Sequence, residues 1–178
     1  MQRIRDLDAD LTRVFVDFQE VAKTLDFQEI CELSDEKEVA RQSYPGIYKI
    51  DMHTGGQFTT FDTWYEWFYK EWVTTEYERM HVPNPKKKRV AAHKGKSLPQ
   101  WMPLYLGKSQ YIAGRVLGHI HLRLDQPTTA LKLGERINMK EQRFRLSTLR
   151  IDVENYDLIM PKIEGALRNI HNPILGRQ

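Results

Sequence analysis

Six side chains in this sequence have types and spacing that could do chemistry: Tyr48, Tyr105, Lys108, Arg115, His119 and Glu164. An arginine can hold a phosphoryl oxygen in a fork of two N–H donors. A glutamate is a hard oxygen ligand for a single Mg²⁺, an ion that keeps several waters and needs few carboxylates. A tyrosine hydroxyl close to a lysine and a metal can have its proton affinity lowered enough to take a proton from water. Together these groups would suit in-line attack of water on a phosphodiester, which needs a base, a cation on the phosphate and stabilisation of the leaving oxygen. The Gly107-Lys108-Ser109 triplet resembles the end of a nucleotide-binding loop, but the glycine that must begin such a loop is replaced by Met102.

The elements that would carry these residues can be read from local pattern. "GIYKID" after Tyr44-Pro45-Gly46 reads as a strand holding Tyr48, and "MPLYLGKS" as a second strand holding Tyr105 and Lys108. Ile112, Val116, Leu117, Ile120 and Leu124 trace a helical face, so Arg115 and His119, four apart, share one side of that helix. His121 is two residues on and faces away. "LDQPTTALKLGERIN" reads as a connection with a short helical piece. "FRLSTLRIDV" reads as a third strand with a bulge near Ser147-Thr148. A last helix carries Ile159, Ile163, Leu167 and Ile170 beside Glu164, with Pro161 tolerable only in its first turn.

Upstream, Leu7, Leu11, Val14, Phe15, Phe18, Val21, Ala22 and Leu25 mark an amphipathic helix. Asp26 with Glu29 suggests a cap on a second helical piece through "FQEICEL", and Ser34 a cap on a third through "DEKEVARQ". Phe61, Trp64, Tyr65, Phe68 and Trp72 fall at helical steps behind a Thr63/Glu66 capping box. That aromatic helix is expected to be clamped between parts of the fold rather than to stack bases. The segment "VPNPKKKRVAAHKGKSLPQ" that follows reads as a Pro-bounded basic loop. Its Lys86, Lys87, Lys88, Arg89, Lys94 and Lys96 are candidates for phosphate contact; a solvated loop and a nuclear-import signal are the other readings.

Charge is divided unevenly: residues 1–42 hold six basic and eleven acidic side chains, and the remainder twenty-one and thirteen. An acidic start ahead of a basic body points to a polyanionic partner. Cys31 is the only cysteine, which rules out an internal disulfide and a zinc site built on thiolates; a small core residue is expected. No apolar run approaches eighteen residues and no charged-then-apolar leader is seen. The expectation is an intracellular, cytoplasmic chain without a membrane partner, nuclear only if its source is eukaryotic.

In this order, Gly46-Ile47-Tyr48, Tyr105-Leu106-Gly107-Lys108-Ser109, Arg115, His119 and Glu164 resemble the GIY-YIG nucleases. The resemblance runs from Gly46 to about Gly176, with residues 51–101 as an insertion. It implies an α+β fold with a small three-stranded, mainly antiparallel sheet flanked by helices over residues 44–178, preceded by a helical segment at 1–43. It also implies a metal-dependent DNA endonuclease, restriction-type among others, using one Mg²⁺ or Mn²⁺ on Glu164. Tyr48 would be the base or the group orienting water, supported by Tyr105, Lys108 and His119. A homodimer through the N-terminal helices is the form expected of a restriction-type enzyme. Where the family pattern has Asn on the third residue after a proline, this chain has Gly176, leaving Asn172 as the candidate substitute and a catalytically weak or inactive nucleic-acid-binding module of the same type as the alternative.

Overall fold

The computed structural model describes residues 1–74, 77 and 82–176. Four antiparallel strands form one sheet: β1 (Gln28–Glu32), β2 (Gly46–His53), β3 (Trp101–Ser109) and β4 (Phe144–Arg150), in the spatial order β1-β4-β2-β3. β2 therefore lies inside the sheet, where β-branched and aromatic residues are buried on both faces.

The sheet has one strand more than the three expected. "QEICE" forms β1 instead of a helix because pairing with β4 overrides its local capping signal. Glu29 accepts from Arg145 Nη1 at 2.6 Å and Glu32 from Arg143 Nε at 3.0 Å, cross-strand charge pairs that a helix could not make. The irregularity expected in β4 at Ser147-Thr148 lies in β1, between Glu29 and Cys31. The first 43 residues thus supply α1 (Gln2–Ala22), strand β1 and α2 (Glu36–Ala40), so they are not an all-helical segment. Asp35, rather than Ser34, caps α2 by accepting from Glu38 N–H at 3.1 Å. Cys31 is half-buried, and burial followed by Asp35 and Glu38 pushes its thiol up to about 11, so it is inert.

Two apolar layers sandwich the sheet. Tyr48, Ile50, Met52, Tyr105 and Leu146 face α3 (Phe61–Trp72) and α5 (Ile112–His121). Ile47, Leu106 and Leu149 face α6 (Tyr156–His171), against which Ala22 of α1 also packs. The aromatic helix is core: Phe61, Trp64, Phe68 and Trp72 are buried, with Tyr69 left outside. Its cap is Thr60, which accepts from Thr63 N–H, so the helix starts three residues earlier than a Thr63 cap would place it. At its far end the wholly buried Arg136 donates Nη1 to the Trp72 carbonyl at 3.1 Å and lies 3.6 Å over the Trp72 ring, with burial lowering its pKa to about 10. The connection after α5 holds two short 3₁₀ turns, Leu133–Glu135 and Ile137–Met139.

Three further differences concern helices and the sheet edge. The basic loop contains a short helix, α4 (Lys87–Ala91), with Val90 buried against the core. Pro161 sits inside α6, in its second turn, where it offers no N–H to the Asp157 carbonyl. The tail after α6 covers the outer edge of β3: Ile174 and Leu175 donate to the Pro103 and Leu104 carbonyls at 3.0 and 2.8 Å, which hides an otherwise unpaired strand edge.

Candidate active site

The ladder between β2 and β3 brings the two tyrosines together. Tyr48 pairs with Gly107 and Ile50 with Tyr105, so both phenols stand on the α5 side of the sheet, 6.1 Å apart between ring centres and stacked. α5 runs across them and lowers Arg115 and His119, one turn apart, onto the pair. Tyr48 Oη lies 2.8 Å from His119 Nε2, and the Tyr105 and His119 ring centres are 4.7 Å apart.

The imidazole tautomer follows from its second contact. Leu131 N–H donates to His119 Nδ1 at 2.8 Å, so that nitrogen carries a lone pair and the proton sits on Nε2. Nε2–H therefore donates to Tyr48 Oη. Burial, then the charge of Arg115, lowers the His119 pKa to about 3, which keeps the ring neutral at any ordinary pH. Lys132 sets this contact: it is buried, in the left-handed region at φ 58°, and its Nζ donates to the carbonyls of Leu124 and Gln126 at 3.0 and 2.6 Å. That tie folds the connection back so that Leu131 meets His119.

Arg115 donates Nη2 to Thr129 Oγ1 at 3.4 Å and interacts electrostatically with both phenols. Burial opposes its charge, but the two phenols outweigh this and raise its pKa above the usual arginine range. Tyr48 is pushed well above the usual phenol range by burial first, then by Tyr105; Arg115 pulls it down and the Glu164 charge raises it further. A resting Tyr48 is thus protonated. Once it loses its proton, the phenolate would be held by the Arg115 cation and the His119 N–H.

Glu164 approaches from α6. Its Oε1 accepts from Arg168 Nη2 at 2.8 Å, and Arg168 also donates Nη2 and Nε to the Leu106 carbonyl at 3.2 and 3.3 Å, tying α6 to β3. No group of three metal-ligating side chains exists among the described residues. A Mg²⁺ on Glu164 would rest on one carboxylate, waters and substrate oxygens, an arrangement this ion accepts.

Tyr48, Tyr105, Arg115 and His119 are thus one contacting cluster, with Glu164 close enough to act electrostatically on Tyr48. Lys108 is not in it: it stands on the opposite face of the sheet, its Nζ 5.1 Å from the Tyr156 ring centre. Asn172 is also spent elsewhere. It closes α6 in the left-handed region, donates Nδ2 to the Asn169 and Ile170 carbonyls, and accepts from Arg89. Gly176, not Asn172, lies beside Tyr105.

Of the six candidate phosphate contacts, Arg89 is docked onto the end of α6, donating Nη1 to the Arg168 carbonyl and Asn172 Oδ1. Lys87, Lys88, Lys94 and Lys96 are exposed and Lys86 is half-buried. His121, as expected, points away, its Nε2 2.9 Å from Glu36 Oε2. His53 packs on Trp101, His171 on Phe27, and His93 bonds the Asn172 carbonyl; His81 lies outside the described residues. Sequence reasoning missed Arg168, Thr129 and Lys132. Arg168 was legible as the i+4 partner of Glu164, whereas nothing local marks the other two.

No protein family, curated protein or solved structure matches the chain. The residues of the site itself are what bear on function.

Proposed function

We propose that this protein hydrolyses phosphodiester bonds of DNA in a reaction that needs a divalent metal. One observation carries the reading: two phenols from β2 and β3 stack on one face of the sheet, the Tyr48 hydroxyl bonds a buried neutral histidine, and the charges of Arg115 and Glu164 act on that phenol. Arg115 would hold the phosphate and spread its charge as the attacking oxygen adds. Tyr48, protonated at rest, would first release its own proton to bulk water and then, as a phenolate braced by His119 Nε2–H and Arg115, take one proton from the attacking water. The water oxygen bonds to phosphorus, the ester P–O bond breaks, and the departing oxygen leaves with the bonding pair. A Mg²⁺ or Mn²⁺ held by Glu164 would supply charge neutralisation at the phosphate and at the leaving oxygen.

Purified protein with Mg²⁺ or Mn²⁺ is expected to nick or linearise plasmid, and Glu164→Gln and Arg115→Ala are expected not to. Equal plasmid loss in wild type and both variants would end the proposal. A second reading has its own support, since Glu164 is already paired with Arg168 and Gly176 brings no side chain to Tyr105. It is a nucleic-acid-binding module that cuts weakly or not at all. Salt-dependent DNA binding that survives Glu164→Gln, without cleavage by either protein, would favour it. Under the first reading a restriction-type homodimer would act inside the cell, joined through α1. No helix among the described residues is long and apolar enough to cross a membrane.

A further inference from the structure

The cavity on the outer side of Tyr105 has a consistent chemistry. Its volume is about 170 Å³, room for about five waters at roughly 30 Å³ each. Among the described residues, Asn84, Lys86, Tyr105 and Thr129 supply its side-chain polar groups. Each can donate a hydrogen bond, one is a cation, and no carboxylate is among the described residues that line the wall. Thr129 already accepts from Arg115, so its hydroxyl proton is free to turn inward, and a second cation stands directly behind it. Gly176 closes one side with bare backbone, at φ +132°, a conformation that side chains other than glycine rarely adopt.

Lys86 is placed there by backbone pairing, although it belongs to the inserted segment. Its N–H donates to the Ile174 carbonyl at 3.0 Å, Pro85 bridges Leu175, and Leu175 N–H donates to the Leu104 carbonyl at 2.8 Å. Three extended segments therefore lie side by side, and Lys86, Gly176 and Tyr105 sit at their adjacent ends.

We propose that this cavity seats a phosphodiester group of the nucleic acid next to the one that is cut, and that Lys86, with Asn84 and Thr129, holds it. The proposal rests on the nuclease reading for the identity of its ligand. The anion chemistry stands without it. Lys86 is then a substrate-binding residue at the reacting end of the polymer, unlike the exposed lysines of α4, which could contact the backbone anywhere along it. The insertion thereby returns a cation to the place where Gly176 offers no side chain.

Two measurements test this, both on the full chain. In the first, backbone amide signals of Thr129 and Gly176 are followed while inorganic phosphate, and separately a short DNA duplex, is added without metal. Both amides are expected to shift with the duplex, and with inorganic phosphate only at much higher concentration. Shifts with inorganic phosphate and none with duplex would place a free anion in the cavity and overturn the polymer assignment. Still signals with both ligands would overturn the site. In the second, duplex affinity is measured against salt. Lys86→Gln is expected to flatten the slope of log K against log salt by about 0.9, the release from one phosphate, while Lys86→Arg restores it. In cleavage, Lys86→Gln should raise KM more than it lowers kcat. An unchanged slope in Lys86→Gln would also overturn the proposal. Plasmid left intact by wild type, with both amides shifting on duplex, would remove the nuclease reading and leave the cavity a phosphate seat.

Discussion

The hydroxyl of Tyr48 passes directly over Gly107, its partner in the β2–β3 ladder: a Cβ on Gly107 would stand 2.5 Å from Tyr48 Oη. The glycine of the "YLG" triplet is therefore required by the phenol of the "GIY" triplet across the sheet. Any side chain there pushes the ring away from His119 Nε2. Gly107→Ala should lower cleavage by at least tenfold and destabilise the fold by about 1–3 kcal/mol through overpacking. Urea unfolding and a metal-dependent cleavage assay check it, and wild-type activity in Gly107→Ala would show that Tyr48 need not meet His119.

His119 makes stability depend on pH in a predictable direction. Its pKa is near 6.5 in the unfolded chain and about 3 in the folded one, because burial and Arg115 disfavour the imidazolium. Below pH 6.5 the unfolded state binds a proton that the folded state refuses. The contribution of His119 is thus fully present above 6.5 and is lost as pH falls toward 3, at up to about 1.4 kcal/mol per pH unit. His171, also lowered by burial and then by Lys49, acts in the same sense, so the test must be a difference. Wild type and His119→Gln, unfolded in urea between pH 7 and pH 4, should converge in stability as pH falls. Parallel curves would mean that His119 is not held neutral.

The parts of the site that could be read from the sequence are those whose geometry is set by short periods. Arg115 and His119, four apart on one helix, meet the same target, and the two triplets pair. The face that Lys108 occupies follows from a short period too. Tyr105 and Lys108 are three apart on one strand, and a period of two puts them on opposite faces. β1 was not readable, since Phe27, Ile30, Cys31 and Leu33 suit a helix nearly as well as a strand and only β4 decides. Arg89 looked like any other charge in its run. Its burial depends on the end of α6, seventy-nine positions away. Thr129 and Lys132 are set by a loop path that no local pattern encodes.

Arg168 and Glu164 form a mostly enclosed pair, with side-chain exposures of 17% and 12%. Removing one member leaves the other charged in a poor environment, whereas removing both does not. Arg168→Met should cost about 3 kcal/mol, and Arg168→Met with Glu164→Leu noticeably less than the two single changes summed. Chemical denaturation of the four proteins gives the coupling directly. Simple additivity would show that the pair contributes nothing.

α1 leaves a stripe uncovered. Ile4, Leu7, Leu11 and Val14 are 66%, 56%, 43% and 44% exposed, and with Phe18 and Val21 they follow a strict alternation of three and four residues. The neighbouring face of the helix is covered, with Ala22 buried against α6 and Lys162 of α6 4.3 Å from the Phe15 ring centre, whereas Val21 at the end of the stripe is still 47% exposed. The open part, residues 2–14, is about 20 Å long at 1.5 Å per residue. An antiparallel pairing of two copies would set Ile4 against Val14 and Leu7 against Leu11 of the second copy, with Arg3 beside its Asp17. Light scattering should give twice the chain mass, and Leu7→Glu with Leu11→Glu should give a single chain whose melting temperature is little changed. Orientation is read by cross-linking in a Cys31→Ser background. Leu7→Cys together with Leu11→Cys should form an intermolecular disulfide, whereas Leu7→Cys alone would do so only if the helices ran parallel. A wild-type mass of one chain at the concentrations used for cleavage would rule out the dimer, and double-strand cuts would then have to come from two successive encounters with the duplex.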